Sequence, residues 1–330
     1  MQVSTFTMRR VVGLAGAAVL AAGSLAACGG SSDAKTADGL TKVTLLRSTG
    51  ATFEGLYIAE QQGFFKDAGL SVEIKAGATD TSQNVPSVLN GEAEFAMTDS
   101  AGLLKAIAQG IPVEAVSQIQ ASVTGAPVSD GILVPGDSSV KTAKDLDRNT
   151  VGLPALGGNI QMITQYAVEK DGGDPKSLNL VALPAASLQD AATKGRVDAI
   201  STFAAFYDGA KAAGMRAIGN GSNDFPGLPQ SLVFSSTKWL DGHEDVAKKF
   251  ADAFAKGLEY ANAHPADIRA VDAKYTKMPA NVIKNRTIQT FDPSFAVDQI
   301  RLAAEKMYEY GIVEKKIDTD KVLWKDAPTD

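Results

Sequence analysis

The sequence predicts an α/β protein made of two similar lobes followed by a helical C-terminal tail. Short apolar runs alternate with helical patterns through most of the chain, which is typical of parallel sheets layered with helices. The same plan is present twice, because residues 43–53 align with 150–160 and residues 90–98 align with 194–202. We therefore expect two related α/β lobes.

The first lobe is predicted to alternate strands with helices. The segment "LSVEIKA", residues 70–76, alternates apolar and polar residues as a half-buried strand does. Asn90-Gly91 and Gly110 follow helical patterns and are common helix-ending residues. The predicted strands are 42–47, 70–76, 93–97 and 113–119, and the predicted helices are 53–65, 82–89 and 100–109.

The second lobe contains the segment "TVGLPALGGNIQMITQYAVEK", residues 150–170. An apolar strand at 150–153 precedes the pair Gly157-Gly158, and Asn159, an N-cap residue type, comes before a helical pattern. Glycines allow a sharp turn that brings backbone N–H groups together in front of a helix. We interpret the pair as presenting a helix N-terminus to an anionic or strongly polar group of a solute. The alternative is a plain turn between a strand and a helix.

The C-terminal tail is predicted to contain helices and no strands, because its apolar residues have helical spacing throughout. Asp241 and Glu244 have the spacing of a capping box at the start of a helix over 241–264. One face of this helix repeats apolar residues at steps of four, which indicates a core stripe. The stripe consists of Val246, Phe250, Phe254 and Leu258. Further helices are predicted at 279–289 and 293–310.

The N-terminus has the pattern of a secretory signal. Arg9 and Arg10 precede an apolar stretch at 11–22, which is too short to span a membrane. "LAAC" ends at Cys28, the only cysteine, and resembles the lipobox of bacterial lipoproteins, in which the cysteine becomes the diacylated N-terminus. We expect a signal peptide over 1–27, a flexible tether over 28–40, and a lipid anchor, palmitate for example, at the cell membrane. The two arginines leave twin-arginine export open beside the general route.

Composition and motifs argue against several functional classes. A net charge of −6 over 330 residues disfavours nucleic-acid binding. A single cysteine excludes intrachain disulfides and a Cys-ligated metal cluster, and no acidic or His-rich group has metal-ligand spacing. His243 and His264, the only histidines, belong to predicted helix ends and read as surface residues. A hydrolase elbow, a P-loop and a dinucleotide fingerprint are all missing from the sequence. We therefore expect a binding protein without cofactor or metal, and not an enzyme.

The candidate ligand site follows from the strand ends. In parallel α/β sheets, ligands bind beyond the carboxyl ends of the strands, and here those ends lead into small polar loops that open helices. The predicted ligand-binding residues are Ser48, Thr49, Thr52, Phe53, Thr98, Asp99, Ser100, Gly157, Gly158, Asn159, Thr202, Phe203 and Phe206. Asp99 either caps the helix that starts near Ala101 or receives a ligand donor. Arg47 either contacts the ligand or forms a solvated strand end or an internal ion pair.

A family resemblance agrees with this arrangement. "GLYIAEQQGFFKDAGLSVEI" resembles the opening of the substrate-binding proteins of bacterial ABC importers, in the nitrate/sulfonate/taurine group related to the thiamine-precursor binders. "LNGEAEFAMT", "KGRVDAIST" and "VKTAKDLDRNTVGLP" are similar to later segments of that family, in the same order. The resemblance covers about residues 42–260.

The resemblance implies a type II periplasmic-binding-protein fold with a ligand cleft between two α/β lobes and the helical tail packed on the first lobe. Lobe 1 would comprise 41–128 and 231–330, and lobe 2 would comprise 129–230. It also implies a monomer on the extracytoplasmic face of the membrane that delivers a small organic anion, a sulfonate or an aliphatic or aromatic carboxylate, to an ABC permease and its ATPase.

Three alternatives stay open at this stage. The ligand could instead be a neutral or aminated heterocycle, such as a thiamine-pyrimidine precursor. The chain could also be an enzyme on the same two-lobed fold, similar to prephenate dehydratase, which would require a poised acid, base or nucleophile in the cleft. A scaffold or adhesin would have no cleft ligand.

Overall fold

The computed structural model describes residues 34–48, 52–78, 81–123 and 125–330. The predicted signal peptide, Cys28 and the ligand candidate Thr49 lie outside the described residues. Over the described ranges, no helix is long and apolar enough to cross a membrane.

The strands form two five-stranded sheets. They are β1 (Thr41–Arg47), β2 (Leu70–Ala76), β3 (Phe95–Thr98), β4 (Val113–Ala121), β5 (Asp130–Val134), β6 (Thr150–Leu153), β7 (Asn179–Ala182), β8 (Ala199–Phe203), β9 (Arg216–Ile218) and β10 (Pro229–Ser236). The first sheet has the order β2-β1-β3-β10-β4 and the second the order β7-β6-β8-β5-β9. We call the parts of the chain built on these sheets the first and second lobe.

The two sheets repeat one topology. In the first, β1 pairs in parallel with β2 and β3, and β10 pairs antiparallel with β3 and β4. In the second, β6 pairs in parallel with β7 and β8, and β5 pairs antiparallel with β8 and β9. The antiparallel strand of the second sheet, β5, lies where the chain first enters the second lobe. The antiparallel strand of the first sheet, β10, lies where the chain returns to the first lobe.

Helices cover both sheets. They are α1 (Glu54–Gln61), α2 (Phe64–Asp67), α3 (Val85–Leu89), α4 (Ser100–Ala108), α5 (Asn159–Lys170), α6 (Ala185–Thr193), α7 (Ala204–Ala212), α8 (Thr237–Gly242), α9 (Glu244–Ala263), α10 (Pro265–Tyr275), α11 (Ala280–Asn285) and α12 (Val297–Glu309). The single helix predicted over 53–65 is wrong, because Gly63 has φ 79° and separates α1 from α2. The predicted capping box is also wrong: Asp241 belongs to α8, and His243 precedes α9.

The tail packs on the first lobe. Val246, Phe250, Phe254 and Leu258 are all buried, so the predicted core stripe of α9 is confirmed. The backbones of α9 and α1 approach so closely that a Cβ at Gly257 would stand 2.9 Å from the carbonyl oxygen of Gly55. Only glycine fits this crossing without moving a helix. The sequence analysis missed α10, which follows α9 directly after His264 and begins with proline.

The second lobe has an apolar core on each face of its sheet. On one face, Val151 and Ala199 pack with Ala167 and Val168 of α5. On the other face, Leu188 of α6 and Tyr207 of α7 belong to the same buried cluster as Ile200. Neighbouring residues of β8 therefore point to different layers, since side chains alternate along a strand.

Candidate functional site

The carboxyl ends of β3 and β6 meet through the N-termini of two helices. The Asn159 side chain, which is 4% exposed, accepts hydrogen bonds from Ser100 Oγ and Ala101 N, each at 2.9 Å. Its Nδ2 donates to the carbonyl oxygen of Pro229 at 2.9 Å. Asn159 thus joins the start of α5 to the start of α4 and to β10, and two of the loops predicted to face one another are in contact.

Asp99 connects the same two helices. Its Oδ1 accepts from Gly102 N at 2.6 Å and caps α4, while its Oδ2 accepts from Asn159 N at 3.3 Å in α5. A helix N-terminus favours negative charge, and this carboxylate lies at two of them. The cap alternative for Asp99 is confirmed. A contact between Asp99 and a ligand stays a prediction.

The glycine pair forms the turn that enters α5. Gly157 has φ 87°, and a Cβ there would stand 3.0 Å from Lys105 Nζ. Gly158 is the N-cap of α5, so the interpretation of Asn159 as the N-cap is wrong. The reason is that the Asn159 side chain bonds across to α4 instead of back to its own helix. Two amides of the turn already have partners, since Gly157 N donates to Gln161 Oε1 and Asn159 N to Asp99. Ligand binding at these amides stays a prediction.

Arg47 is a buried cation at the end of β1. It is 9% exposed, and its guanidinium carbon lies 4.1 Å from the ring centre of Phe53. Its Nε donates to Tyr57 Oη at 3.1 Å and its Nη1 to the Ser48 carbonyl oxygen at 2.7 Å. In the part of the chain that the structure describes, no carboxylate forms an ion pair with Arg47. Because a buried charge without a counter-ion is costly, this guanidinium is a candidate anion anchor.

Backbone strain occurs in the same loops. Thr52 has φ 82° and Ala204 has φ 50°, in the left-handed region that side chains disfavour. Such strain is characteristic of ligand loops and active sites. Phe53 is fully buried beneath Arg47, so its ring supports the guanidinium and does not form an open wall. Thr98 is also buried, with its hydroxyl 3.4 Å from that of Thr81.

The second lobe contributes exposed apolar side chains. Phe203 and Phe206 are 40% and 43% exposed and meet edge to face, with ring centres 6.4 Å apart. Leu156 is half exposed and follows β6, and Phe203 is the last residue of β8. Because β6 and β8 run in parallel, Leu156 and the two phenylalanines lie toward the same edge of the sheet. Exposed apolar groups at such an edge are suited to contact a partly apolar solute.

A pocket of about 110 Å³ opens beside Phe206, between α6 and α7. Thr202, a predicted site residue, lines it, together with Gln189 and Gly209, which the sequence analysis missed. Pro184 could have indicated this pocket from the sequence. A proline often stands at the start of a helix, and helix N-termini are common places for ligands to bind.

A buried ion triad includes Glu54, the first residue of α1. Arg286 Nη2 donates to Glu54 Oε1 at 2.5 Å and its Nε to Asp272 Oδ2 at 2.7 Å. Burial raises the pKa of Glu54 to about 7, against the opposing effect of the Arg286 charge. Because all three side chains are engaged with one another, the triad is a structural junction between α1, α10 and the segment after α11. Among the described residues, no group of His, Cys, Asp and Glu is arranged to hold a metal ion.

Comparison with known proteins decides the family. Residues 51–268, well over half of the chain, match the family model described as NMT1/THI5 like. The chain belongs to the NMT1/THI5-like family. It is 26% identical over 297 residues to YtlA of Bacillus subtilis (strain 168), which carries the provisional name of a binding protein; the match covers 86% of this chain and 84% of that one.

Solved structures with the same architecture agree with membership of the NMT1/THI5-like family. The periplasmic aliphatic sulphonate binding protein SsuA from Escherichia coli superposes with a TM-score of 0.73 and 19% identity over 88% of this chain and 94% of that one. The alkanesulfonate-binding protein SsuA from Xanthomonas axonopodis pv. citri, bound to MOPS, superposes with a TM-score of 0.70 and 16% identity. The match covers 88% of this chain and 99% of that one. The chain therefore has the periplasmic-binding-protein fold expected from its sequence, with two α/β lobes and a helical tail.

Proposed function

We propose that this protein is the extracytoplasmic solute-binding component of an ABC importer, and that its solute is a small organic anion, a sulfonate or a carboxylate. Membership of the NMT1/THI5-like family and the fold shared with sulfonate-binding proteins support the role of solute binder. In such a role, the solute would be held where the strand ends of the two lobes meet and then be passed to a permease and its ATPase.

One observation carries the choice of an anion. Arg47 is 9% exposed and stacks on Phe53, and among the described residues its hydrogen bonds go to neutral oxygens alone. A carboxylate or sulfonate would supply the missing charge through charge-assisted hydrogen bonds. A neutral heterocycle would leave the guanidinium uncompensated, which makes it the weaker candidate.

We further propose that the protein is not an enzyme. The two acids whose pKa values rise furthest, Glu54 and Asp130, are both tied into buried contacts, Glu54 with Arg286 and Asp130 with Ser222. Glu54 directly follows Phe53, and Asp130 lies opposite Phe203 in the sheet, but each carboxyl is hydrogen-bonded to another side chain. Binding therefore accounts for the site more simply than acid–base chemistry does.

The remaining parts of the proposal concern location and assembly. We propose that the protein acts as a monomer, held at the outer face of the cell membrane by acyl chains on Cys28. Two or more acyl chains give stable membrane attachment, whereas a single chain binds only marginally. Residues 29–40 would then serve as the tether.

The ligand class is tested with the protein lacking residues 1–28, using calorimetry and thermal unfolding. The probes are alkanesulfonates, aliphatic and aromatic carboxylates, and an uncharged aminopyrimidine of similar size. We expect an anion to bind and to stabilise the fold by about 3–4 kcal/mol at 100 to 1,000 times Kd. Binding of the uncharged aminopyrimidine alone would favour the heterocycle alternative.

Arginine variants test the anchor directly. Arg47→Gln should weaken anion binding by at least tenfold, and Arg47→Lys, which keeps the charge but loses the planar fork, by less. Arg301→Gln is the control, because Arg301 is an exposed residue of α12 that pairs with Asp298 on its own helix. Unchanged affinity in folded Arg47→Gln would refute the anchor.

A further inference from the structure

One helix of the second lobe is also buried in the core of the first lobe. Ala167 and Val168 of α5 belong to the buried cluster on one face of the second sheet. Met162 and Ile163 of the same helix, which are 0% and 1% exposed, belong instead to the buried cluster of the first lobe. α5 therefore packs into the apolar cores of both lobes.

Polar contacts fix both ends of α5 to the first lobe. At its start, Asn159 Oδ1 accepts from Ser100 Oγ at 2.9 Å. Near its end, Glu169 Oε1 accepts from Lys306 Nζ of α12 at 2.6 Å, and Glu169 Oε2 accepts from Tyr310 Oη, directly after α12. Contacts at the two ends of a helix hold both its position and its direction, so α5 is fixed relative to the first lobe.

The two chain segments that cross between the lobes run beside this helix. The ring centre of Tyr166 in α5 lies 4.5 Å from that of Phe225, which precedes the return to the first lobe. The crossings also bond to each other, since Ser122 N donates to the carbonyl oxygen of Leu228 at 3.0 Å. A rotation that keeps the crossings intact can therefore have its axis along α5.

The opposite face of the second sheet, covered by α6 and α7, meets the first lobe differently. Asp208 Oδ2 of α7 accepts from Thr287 N at 3.4 Å. Thr287 belongs to a strap, residues 286–289, that is fixed to the first lobe because Arg286 pairs with Glu54 and Asp272. In the part of the chain that the structure describes, no residue of α6 or α7 belongs to the buried cluster of the first lobe.

These two sides should differ in how readily they separate. A hydrogen bond such as that of Asp208 is exchanged for one with water at little net cost. Pulling Met162 and Ile163 out of the first-lobe core would instead expose apolar surface to water. Displacement in a rotation also grows with distance from the axis, so a turn about α5 moves α7, across the sheet, far more than it moves the contacts of α5.

We propose that the free protein opens on one side only: the second lobe turns about α5, which stays packed on the first lobe, and the bond between Asp208 and Thr287 breaks. A solute then enters beside α7, past the exposed rings of Phe203 and Phe206. The entry route rests on the proposed function, whereas the motion itself requires no solute and is measured without one.

Distances between paired spin labels test the motion in the protein lacking residues 1–28, which has no cysteine of its own. The strap pair, Lys211→Cys with Lys284→Cys, labels exposed residues of α7 and of α11, just before the strap. The α5 pair, Lys176→Cys with Glu305→Cys, labels exposed residues after α5 and in α12. We expect a second, longer population for the strap pair and one narrow population for the α5 pair. A single narrow distance for the strap pair, or a second population for the α5 pair, would overturn the proposal.

Two variants provide a matched comparison, because each removes a carboxylate that connects the lobes. Asp208→Ala removes the acceptor for Thr287 N, so it should raise the longer population of the strap pair at least about twofold, the effect of one weak hydrogen bond. Glu169→Ala should lower the melting temperature but leave both distance distributions unchanged, because Met162 and Ile163 still hold α5. An equal rise in both variants, or none in Asp208→Ala, would contradict opening on the strap side.

Cross-links test the entry route. A short bismaleimide joining Asp208→Cys to Thr287→Cys should slow the association of ethanesulfonate or butyrate by about tenfold or more, since binding then lacks its conformational change. The same reagent joining Glu169→Cys to Lys306→Cys is the control and should leave the association rate unchanged. Equal rates in the two cross-linked proteins would refute entry beside α7. If no organic anion binds even the protein without a cross-link, the proposed function fails, and the label distances alone decide whether the lobes open about α5.

Discussion

Asp99 Oδ2 accepts a hydrogen bond from Asn159 N at 3.3 Å, and this bond connects helices that belong to different lobes. The second oxygen of the same carboxylate caps α4 through Gly102 N. One side chain therefore satisfies orphan N–H groups of two helices, and it does so where the carboxyl ends of β3 and β6 meet. Any separation of the lobes at this point has to break the longer bond.

Removing this carboxylate should cost more than an ordinary cap. Loss of a helix cap destabilises by about 1 kcal/mol, and Asp99→Ala also leaves the Asn159 amide without its partner. We expect a decrease of about 1–2 kcal/mol in the free energy of unfolding, measured by urea denaturation. Asp99→Asn keeps an acceptor for Gly102 N and should lose less than Asp99→Ala. Equal losses would mean that the charge, and not the cap, carries the stabilisation.

The two glycines before α5 should differ in their response to substitution. Gly157 has φ 87°, so Gly157→Ala should destabilise by about 1–2 kcal/mol, the cost of a left-handed conformation. Gly158 has φ −103°, which a side chain tolerates, so Gly158→Ala should cost less than Gly157→Ala, although its Cβ would stand 3.3 Å from Asp99 Oδ2 and alanine is a poorer N-cap than glycine. Thermal unfolding of the two variants checks this order.

Gly158→Val tests whether the turn before α5 contacts the solute or only redirects the chain. Its extra methyl groups would crowd the approach to the turn and to Asp99, so affinity for the solute should fall if the turn takes part in binding. The measurement is solute affinity alongside melting temperature. Unchanged affinity in the folded variant would mean that the glycine pair only turns the chain and that the solute is held elsewhere.

The sequence pattern was sufficient for the two-lobed α/β plan, because buried parallel strands and amphipathic helices leave local periodic signals. It was insufficient for β5 and β10, which reverse direction and owe their place to pairing with strands far away in the chain. Helix breaks at Gly63 and His243 were also missed, since the apolar spacing continues across both. Local patterns report periodicity, whereas sheet order and helix breaks depend on tertiary contacts.

The candidate site shows the same division. Strand ends and small polar loops predicted that loops of the two lobes meet, and the loops of Ser100 and Asn159 are in contact. The role of each side chain depended on partners distant in sequence. Arg47 donates to the carbonyl oxygen of Tyr275, which belongs to a helix that the sequence did not predict, and Asn159 bonds to Pro229. Such contacts leave no spacing signal.

The lipid anchor is tested with the full-length protein in cells. Cys28→Ala removes the only possible thioether attachment, so we expect the variant to be released into the soluble extracytoplasmic fraction. The natural protein should label with radioactive palmitate and partition with membranes. Cys28→Ser, which keeps the size of the side chain, should behave as Cys28→Ala does. Soluble, unlabelled natural protein would refute the anchor without affecting the proposed binding function.

Asp130 should make the stability of the protein depend on pH. This carboxyl is 7% exposed, and burial raises its pKa from the usual 3.8 to about 6, although Ser222 Oγ donates to it at 2.8 Å. The folded state therefore holds the proton more tightly than the unfolded chain does. The resulting stabilisation is fully present below pH 3.8 and is lost as the pH rises through about 6. A shift of this size corresponds to about 3 kcal/mol.

Asp130→Asn isolates this contribution, because the amide does not titrate and can still accept from Ser222. We expect the wild-type free energy of unfolding to fall by about 2.4 kcal/mol more than that of Asp130→Asn between pH 4 and 7, measured by urea denaturation at each pH. Glu54, whose pKa is raised to about 7, contributes a similar decline that both proteins share. Asp298→Asn is the control, since the Asp298 side chain is 89% exposed. Parallel pH curves for wild type and Asp130→Asn would show that the buried carboxyl has the same pKa in the folded and unfolded states.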